Sequence, residues 1–449
     1  MNETRALVEF VVGSNYADLP KEIVETVRLF ILDDLACGFA GARAPWADMV
    51  ATVVRDSTAG SNSMFGRAWT ASPAQAALVN GVSIGGFECD HVYSPGSCHP
   101  SAGVFPAVLA AAEQGHIDGR GFLTAVALGY EILCRIGAAA TRAVEDERGF
   151  HGPGTNAALG AAFGVGKALG LSEKVLLNAV GIAGSHGSGL LEFFHEGAMT
   201  KRMHPGRGSQ LGLECVLLAQ QGFTGPSTVL EGAQGFLNVY SPSPKPERLL
   251  SGLGQDYLLR EITLKAYPCH ISFHPTIDAL QHFRAENPFD IQMIQHVKIV
   301  SETRMMESRF GGRRPTNLLG AQYSLPWSAA LALSWDVADP AAWTERDLAD
   351  PMVSHLAATM ELDESKPAGF GANAEVELTV GGQRHVVTAT DWKGAPTNPY
   401  TFQEMAEKFR RYVGDQLTNG TTEEIIARVE RLEHEADVAS LARLIRGVE

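Results

Sequence analysis

Cysteine is scarce in this chain, and what there is lies scattered: Cys37, Cys89, Cys98, Cys134, Cys215 and Cys269 show no repeated spacing and no CxxC pair. That excludes a disulfide framework and leaves no thiolate series of the kind an iron–sulfur cluster needs. Basic charge is also short. Lys and Arg number 36 against 51 Asp and Glu, a formal net charge of −15. Nucleic acid and anionic membranes both demand a basic surface that releases counterions, so neither is expected as a partner. No apolar run reaches membrane-spanning length, and the opening segment MNETRALVEFVVGSNYADLP lacks the basic flank and unbroken apolar core of a signal peptide. The expected location is the cytoplasm. No solenoid repeat and no low-complexity tract interrupts the chain.

What is present is a globular composition rich in small residues: 449 residues, 45% hydrophobic and 19% charged, with 47 glycines. That length favours two domains over one core. Residues 20–41 (PKEIVETVRLFILDDLACGFAG) carry apolar groups at helical spacing, as do stretches near 74–84, 103–114 and 121–140. The small residues of 155–171 (TNAALGAAFGVGKALGL) would let helices approach closely, and 208–221 reads as another buried helix. After about residue 260 the texture changes. IQHVKIVS near 294, AEVELTV (374–380) and RHVVTAT (384–390) are β-branched runs with partial alternation, the last two joined by Gly381-Gly382. A Pro- and Gly-bearing stretch at 393–401 then leads into a charged, amphipathic helical tail at 402–449. The expected fold class is mainly α with an inserted α+β domain. A large all-helical domain takes residues 1–262, a smaller α+β domain takes 263–398, and 399–449 return to the helices.

Four short loops collect the chemically capable residues, as loops on a rigid scaffold often do. The first, FECDHVYSPGSCHPS (87–101), offers Glu88, Asp90, His91 and His99. The second, RGFHGPGTN (148–156), sets His151 before a Gly-Pro-Gly turn, with Thr155 placed to cap the next helix. The third, GAMTKRMHPGRGSQ (197–210), brings Lys201, Arg202, His204 and Arg207 to an expected helix N-terminus, an anion site in the making. The fourth, LKAYPCHISFHPT (264–276), carries His270 and His274.

This set suits removal of a proton next to a carboxylate. Such a step needs cationic and hydrogen-bonding support for the dianion that forms, and a base held neutral near pH 7. A second acid could expel hydroxide or reprotonate carbon, and loss of CO2 uses the same anion-stabilising pocket. The plainer alternatives are structural: a lone histidine is more often a hydrogen-bonding core residue than a catalyst, and His186, His195, His282, His296, His355, His385 and His434 are read that way. Glu88 and Asp90 could cap or solvate a loop, and Lys201 with Arg202 could form an exposed charged face. On pattern alone Trp327, in AQYSLPW (321–327), reads as core. Cys89, His91, Cys98 and His99 include zinc-compatible ligands, but a C-x-H-x6-C-H spacing fits no standard finger, and no metal is expected.

These loops, with FILDDLACGFAG, NGVSIGGFECDHVYSPGSCHPS, GFHGPGTNAALGAAFGVGKALGL, MTKRMHPGRGSQLG, KAYPCHISFHPTIDA, AQYSLPWSAALAL and NPYTFQEMAEKF, resemble the MmgE/PrpD family over nearly the whole chain. That family includes 2-methylcitrate dehydratase, cis-aconitate decarboxylase and iminodisuccinate epimerase. The resemblance implies a helical domain built from both chain ends, a smaller α+β lid, a homodimer, and a cofactor-independent site between the domains. It places the acidic position of the first loop on Asp90 or Glu88 and its histidine on His99. The second loop contributes His151, the third Lys201 and the last His274; the expected substrate contacts are Glu88, Thr155, Arg202, His204, Arg207 and Trp327.

Three departures bear on the substrate. Val92 stands where the family commonly has a threonine, His151-Gly152-Pro153-Gly154-Thr155 replaces H-P-T-G-T, and Trp327 falls where the decarboxylase branch carries a tyrosine. Two hydroxyls are lost, which points to a less polar substrate arm. The leading expectation is a lyase that dehydrates a small hydroxy-di- or tricarboxylate without a cofactor. Decarboxylation of a cis-aconitate-like acid, or epimerisation of an iminodisuccinate-like one, is the close alternative, and a non-catalytic carboxylate-binding protein the more distant one.

Overall fold

Apolar residues at helical spacing build most of the molecule. In the computed structural model, which describes residues 2–56, 59–302, 312–344, 347–366, 374–389 and 391–447, the chain is mainly helical with one small four-stranded sheet. It divides into two compact units. The first comprises Met1–Leu191, Thr200–Thr263 and Tyr400–Glu449; the second comprises Glu192–Met199 and Leu264–Pro399.

In the first unit, helices Pro73–Gly86, Pro100–Gly115, Gly152–Ala168 and Thr200–Gln220 pack on one another, and helix Phe402–Val413 packs against Lys21–Ala42. Small residues set the spacing of these helices. A Cβ added at Gly81 would lie 2.4 Å from the Cα of Gly206, so helices 73–86 and 200–220 touch backbone to backbone only because both positions are glycine. This crossing brings the residues that follow Gly86 to the start of helix 200–220. Helix Gly119–Ala140 corrects one expectation, since it is long and apolar enough to cross a membrane. All of its most apolar window is buried in the fold, as in a core helix, and it carries the buried pair Glu131–Arg135 at 2.7 Å.

The described strands lie in the second unit. β1 (Ile294–Glu302) pairs parallel with β2 (Glu361–Lys366) and antiparallel with β3 (Ala374–Val380), which pairs with β4 (Gln383–Ala389), giving the order β2-β1-β3-β4. The β3–β4 turn is Gly381-Gly382, both at positive φ (57° and 83°), the conformation a two-residue hairpin requires. Residue 390 of the RHVVTAT run and residues 448–449 of the tail lie outside the described residues. β2 was not expected from the sequence. Its ELDESK is charged rather than β-branched, and it is held at the sheet edge partly by Lys298 of β1, whose ammonium lies 2.7 Å from Asp363.

Candidate active site

Proline and glycine position the candidate histidines. His99 stands at the N-cap of helix Pro100–Gly115 and His151 at the N-cap of helix Gly152–Ala168, whose second residue is Pro153. The residue before a proline is kept out of the helical region, and a proline in the first turn starts a helix without wasting a donor. His99, directly before Pro100, is thereby held out of the helix it introduces, and both histidines stand at the positive end of a helix dipole, where an anion is favoured. Thr155 does not cap: the helix starts earlier than the sequence suggested, so Thr155 sits inside the first turn and its hydroxyl donates to the Gly152 carbonyl at 2.9 Å.

Within the first unit these side chains form a connected cluster. His99 Nδ1 lies 2.7 Å from Asp90 Oδ2, with Asp90 fully buried and the His99 side chain 13% exposed. A carboxylate on Nδ1 fixes the tautomer and leaves Nε2 as the working nitrogen. The rings of His99 and His151 are 6.4 Å apart, and His151 Nδ1 meets His204 Nδ1 at 3.0 Å. Lys201, in the first turn of helix 200–220, forms a buried ion pair with Glu88, which adopts φ 62° directly after helix 73–86. Burial, and then the charges of Lys201, His204 and His99, push the His151 imidazole well below its ordinary value, against an opposing contribution from Glu88. Burial and Lys201 push His204 down to about 4. Both rings are therefore neutral at pH 7.

The structure splits the cationic set that the sequence gathered into one anion site. Lys201 and His204 join the cluster. Arg202 is buried, donates to the Gly86 carbonyl and stacks 3.7 Å from the centre of the Trp46 ring. Arg207 is exposed and donates to Gln210. Three of the four zinc-compatible residues of the first loop likewise turn to different partners: Cys98 Sγ donates to the Gly96 carbonyl, His91 turns to Asp33 and Asp34, and His99 turns to Asp90. Val92 is buried and pairs through its backbone with Thr263.

Around His91, the residue after Asp90, lies a network the site reading missed. His91 Nε2 stands 2.9 Å from Asp33 and 3.5 Å from Asp34, Lys408 Nζ lies 2.5 Å from Asp33, and Asp34 accepts from Tyr130 at 2.6 Å and from Ser101. All six side chains are buried. Burial raises Asp33, but Lys408 and His91 more than offset it and hold the carboxyl below its usual range; burial dominates at Asp34 and pushes it up to about 6. The signal was available: two adjacent acids in the apolar run FILDDLACGFAG cannot be buried without partners.

The second unit holds the other two candidates. His274 opens helix His274–Glu286, fully buried, with its ring 5.2 Å from that of Tyr267, whose hydroxyl donates to Asp278 at 2.8 Å. Trp327 lies in helix Leu325–Ser334, 3% exposed.

Comparison with known proteins agrees with these motifs. Residues 5–249 match the MmgE/PrpD N-terminal domain and residues 267–434 the MmgE/PrpD C-terminal domain. The chain is 28% identical to the cis-aconitate decarboxylase-like protein oryM of Aspergillus oryzae, covering 99% of this chain and 98% of that protein. It is 27% identical to the cis-aconitate decarboxylase of Aspergillus terreus (96% and 94% covered) and 26% identical to that of Homo sapiens (99% and 94%). With both domain models matched along most of its length, the chain belongs to the MmgE/PrpD family.

Proposed function

We propose that this protein is a lyase that decarboxylates a small, unsaturated di- or tricarboxylate of the cis-aconitate type, without a cofactor. The observation that carries the chemistry is the Asp90–His99 pair beside a buried, neutral His151. Decarboxylation breaks one C–C bond, releases CO2 and leaves the electron pair on a carbon conjugated to a remaining carboxylate; one proton must then reach carbon. His99 delivers that proton from Nε2 while Asp90 supports its imidazolium. Lys201 and the helix ends at His99 and His151 stabilise the negative charge that develops, the largest contribution in reactions of this kind. The preference for decarboxylation over dehydration, which reverses the order favoured by the sequence, draws on the full-length relatives named cis-aconitate decarboxylase. Dehydration remains the second reading, because a neutral His151 is also poised to accept a proton next to a carboxylate.

The test is incubation of the purified protein with cis-aconitate, citrate and 2-methylcitrate separately, followed by NMR. Consumption of cis-aconitate with CO2 release supports the proposal. Water loss from a hydroxy acid without CO2 makes the protein a dehydratase, and binding of every acid without turnover makes it a carboxylate-binding protein.

A further inference from the structure

The contact between His151 and His204 is tighter than two histidines at the edge of a polar cluster require. Their Nδ1 atoms are 3.0 Å apart with ring centres at 5.1 Å and planes inclined by 51°. At that distance one nitrogen must carry a proton and the other must not, so the two tautomers are locked to each other. The backbone enforces the approach. Gly189 accepts from the His151 amide at 3.0 Å and lies flat against the other ring, where an added Cβ would stand 3.1 Å from His204 Nδ1. On the opposite flank, a Cβ at Gly154 would stand 3.2 Å from His204 Cβ. Gly189 also holds φ 95°, which L side chains rarely adopt. One glycine thus seats both histidines.

We propose that His204 is the positioning residue for His151: its Nδ1 accepts the His151 Nδ1–H, which leaves His151 Nε2 unprotonated as the nitrogen that works on substrate. One observation sets the direction. His204 is partly exposed, so its own Nε2–H can be solvated, whereas His151 is buried. The functional half of this assignment rests on the lyase reading above, while the tautomer stands apart from it.

The experiment is two-bond 1H–15N correlation on protein labelled with 15N-histidine, at pH 6 to 8, with the His151 signals assigned from His151→Gln. Wild type should show protonated Nδ1 and unprotonated Nε2 at His151. His204→Leu, which removes the acceptor, should lose that single pattern and lower kcat by about tenfold or more, within the range a positioned acid or base supplies. His204→Asn, which keeps an oxygen acceptor near the Nδ1 position, should restore both. A protonated Nε2 at His151 in wild type overturns the assignment even if His204→Leu does not fold. An unchanged pattern in His204→Leu also overturns it. Absence of turnover in wild type would instead refute the lyase reading, with the nitrogen pattern still deciding the tautomer.

Discussion

Replacing Lys408 by methionine removes one charge from a site that water does not reach. Asp33 is fully buried with Lys408 Nζ 2.5 Å from one oxygen and His91 2.9 Å from the other. Breaking one partner of a buried ion pair strands the other charge, at a cost of about 3–5 kcal/mol. His91 stays in place, so the lower end, about 3 kcal/mol, is expected. With a urea m-value of about 3 kcal/mol/M, the unfolding midpoint should fall by about 1 M. The pH dependence follows from Asp33. Its carboxyl is held below its ordinary value of 3.8, so the stability it contributes is present above that value and lost as pH falls through the folded one. The penalty of Lys408→Met should thus be full at neutral pH and shrink in acid. The double variant Asp33→Asn/Lys408→Met, which leaves no charge stranded, should recover most of the loss. Urea unfolding of wild type, the two single variants and the double variant measures all of this. A Lys408→Met midpoint equal to wild type, or a double variant no better than the single, would refute the account of the network.

Three further outcomes follow. Asp90→Asn should lower kcat by about 100- to 10,000-fold with a modest change in KM, since His99 loses the carboxylate that orients it; steady-state kinetics decide it. Lys201→Ala should cost about 100- to 1000-fold in kcat and should also lower thermal stability, because it strands the buried Glu88; Lys201→Met/Glu88→Gln should recover stability but not activity. Burial pushes Asp34 up to about 6 from 3.8, so its contribution to stability is present below 3.8 and lost as pH rises through about 6; Asp34→Asn should therefore lose less stability than wild type over that interval in urea titrations.

The fold could be read from the sequence where periodicity or turn chemistry speaks locally. Helical spacing marked the long helices, β-branched runs marked β1, β3 and β4, and Gly381-Gly382 marked the hairpin. β2 escaped because ELDESK has no strand signature of its own; its pairing depends on β1 residues distant in sequence, with His296 and Lys298 both approaching Glu361, 65 positions on from His296. The four loops were visible as clusters of polar residues among glycines and prolines, but their partners were not. Asp90 and His99 are nine positions apart, whereas His151 and His204 are 53 apart and Lys201 and Glu88 are 113 apart. No local pattern encodes such meetings. They arise where helices 73–86 and 200–220 cross at Gly81 and Gly206, a contact made by the absence of side chains. The same crossing divides Lys201 from Arg202, neighbours in sequence that a helical turn sends to Glu88 and to Trp46.

The central claim is that this protein breaks a C–C bond to a carboxylate and returns one proton to carbon. Its most direct test is complete conversion of cis-aconitate in deuterated buffer, with CO2 counted in the headspace and the product examined by 1H and 13C NMR. The account predicts one CO2 per acid consumed and one deuterium on carbon in the product, both formed about 100- to 10,000-fold more slowly in Asp90→Asn. Deuterium exchange or loss of water from a citrate-type acid, with no CO2 released from any acid, would contradict it.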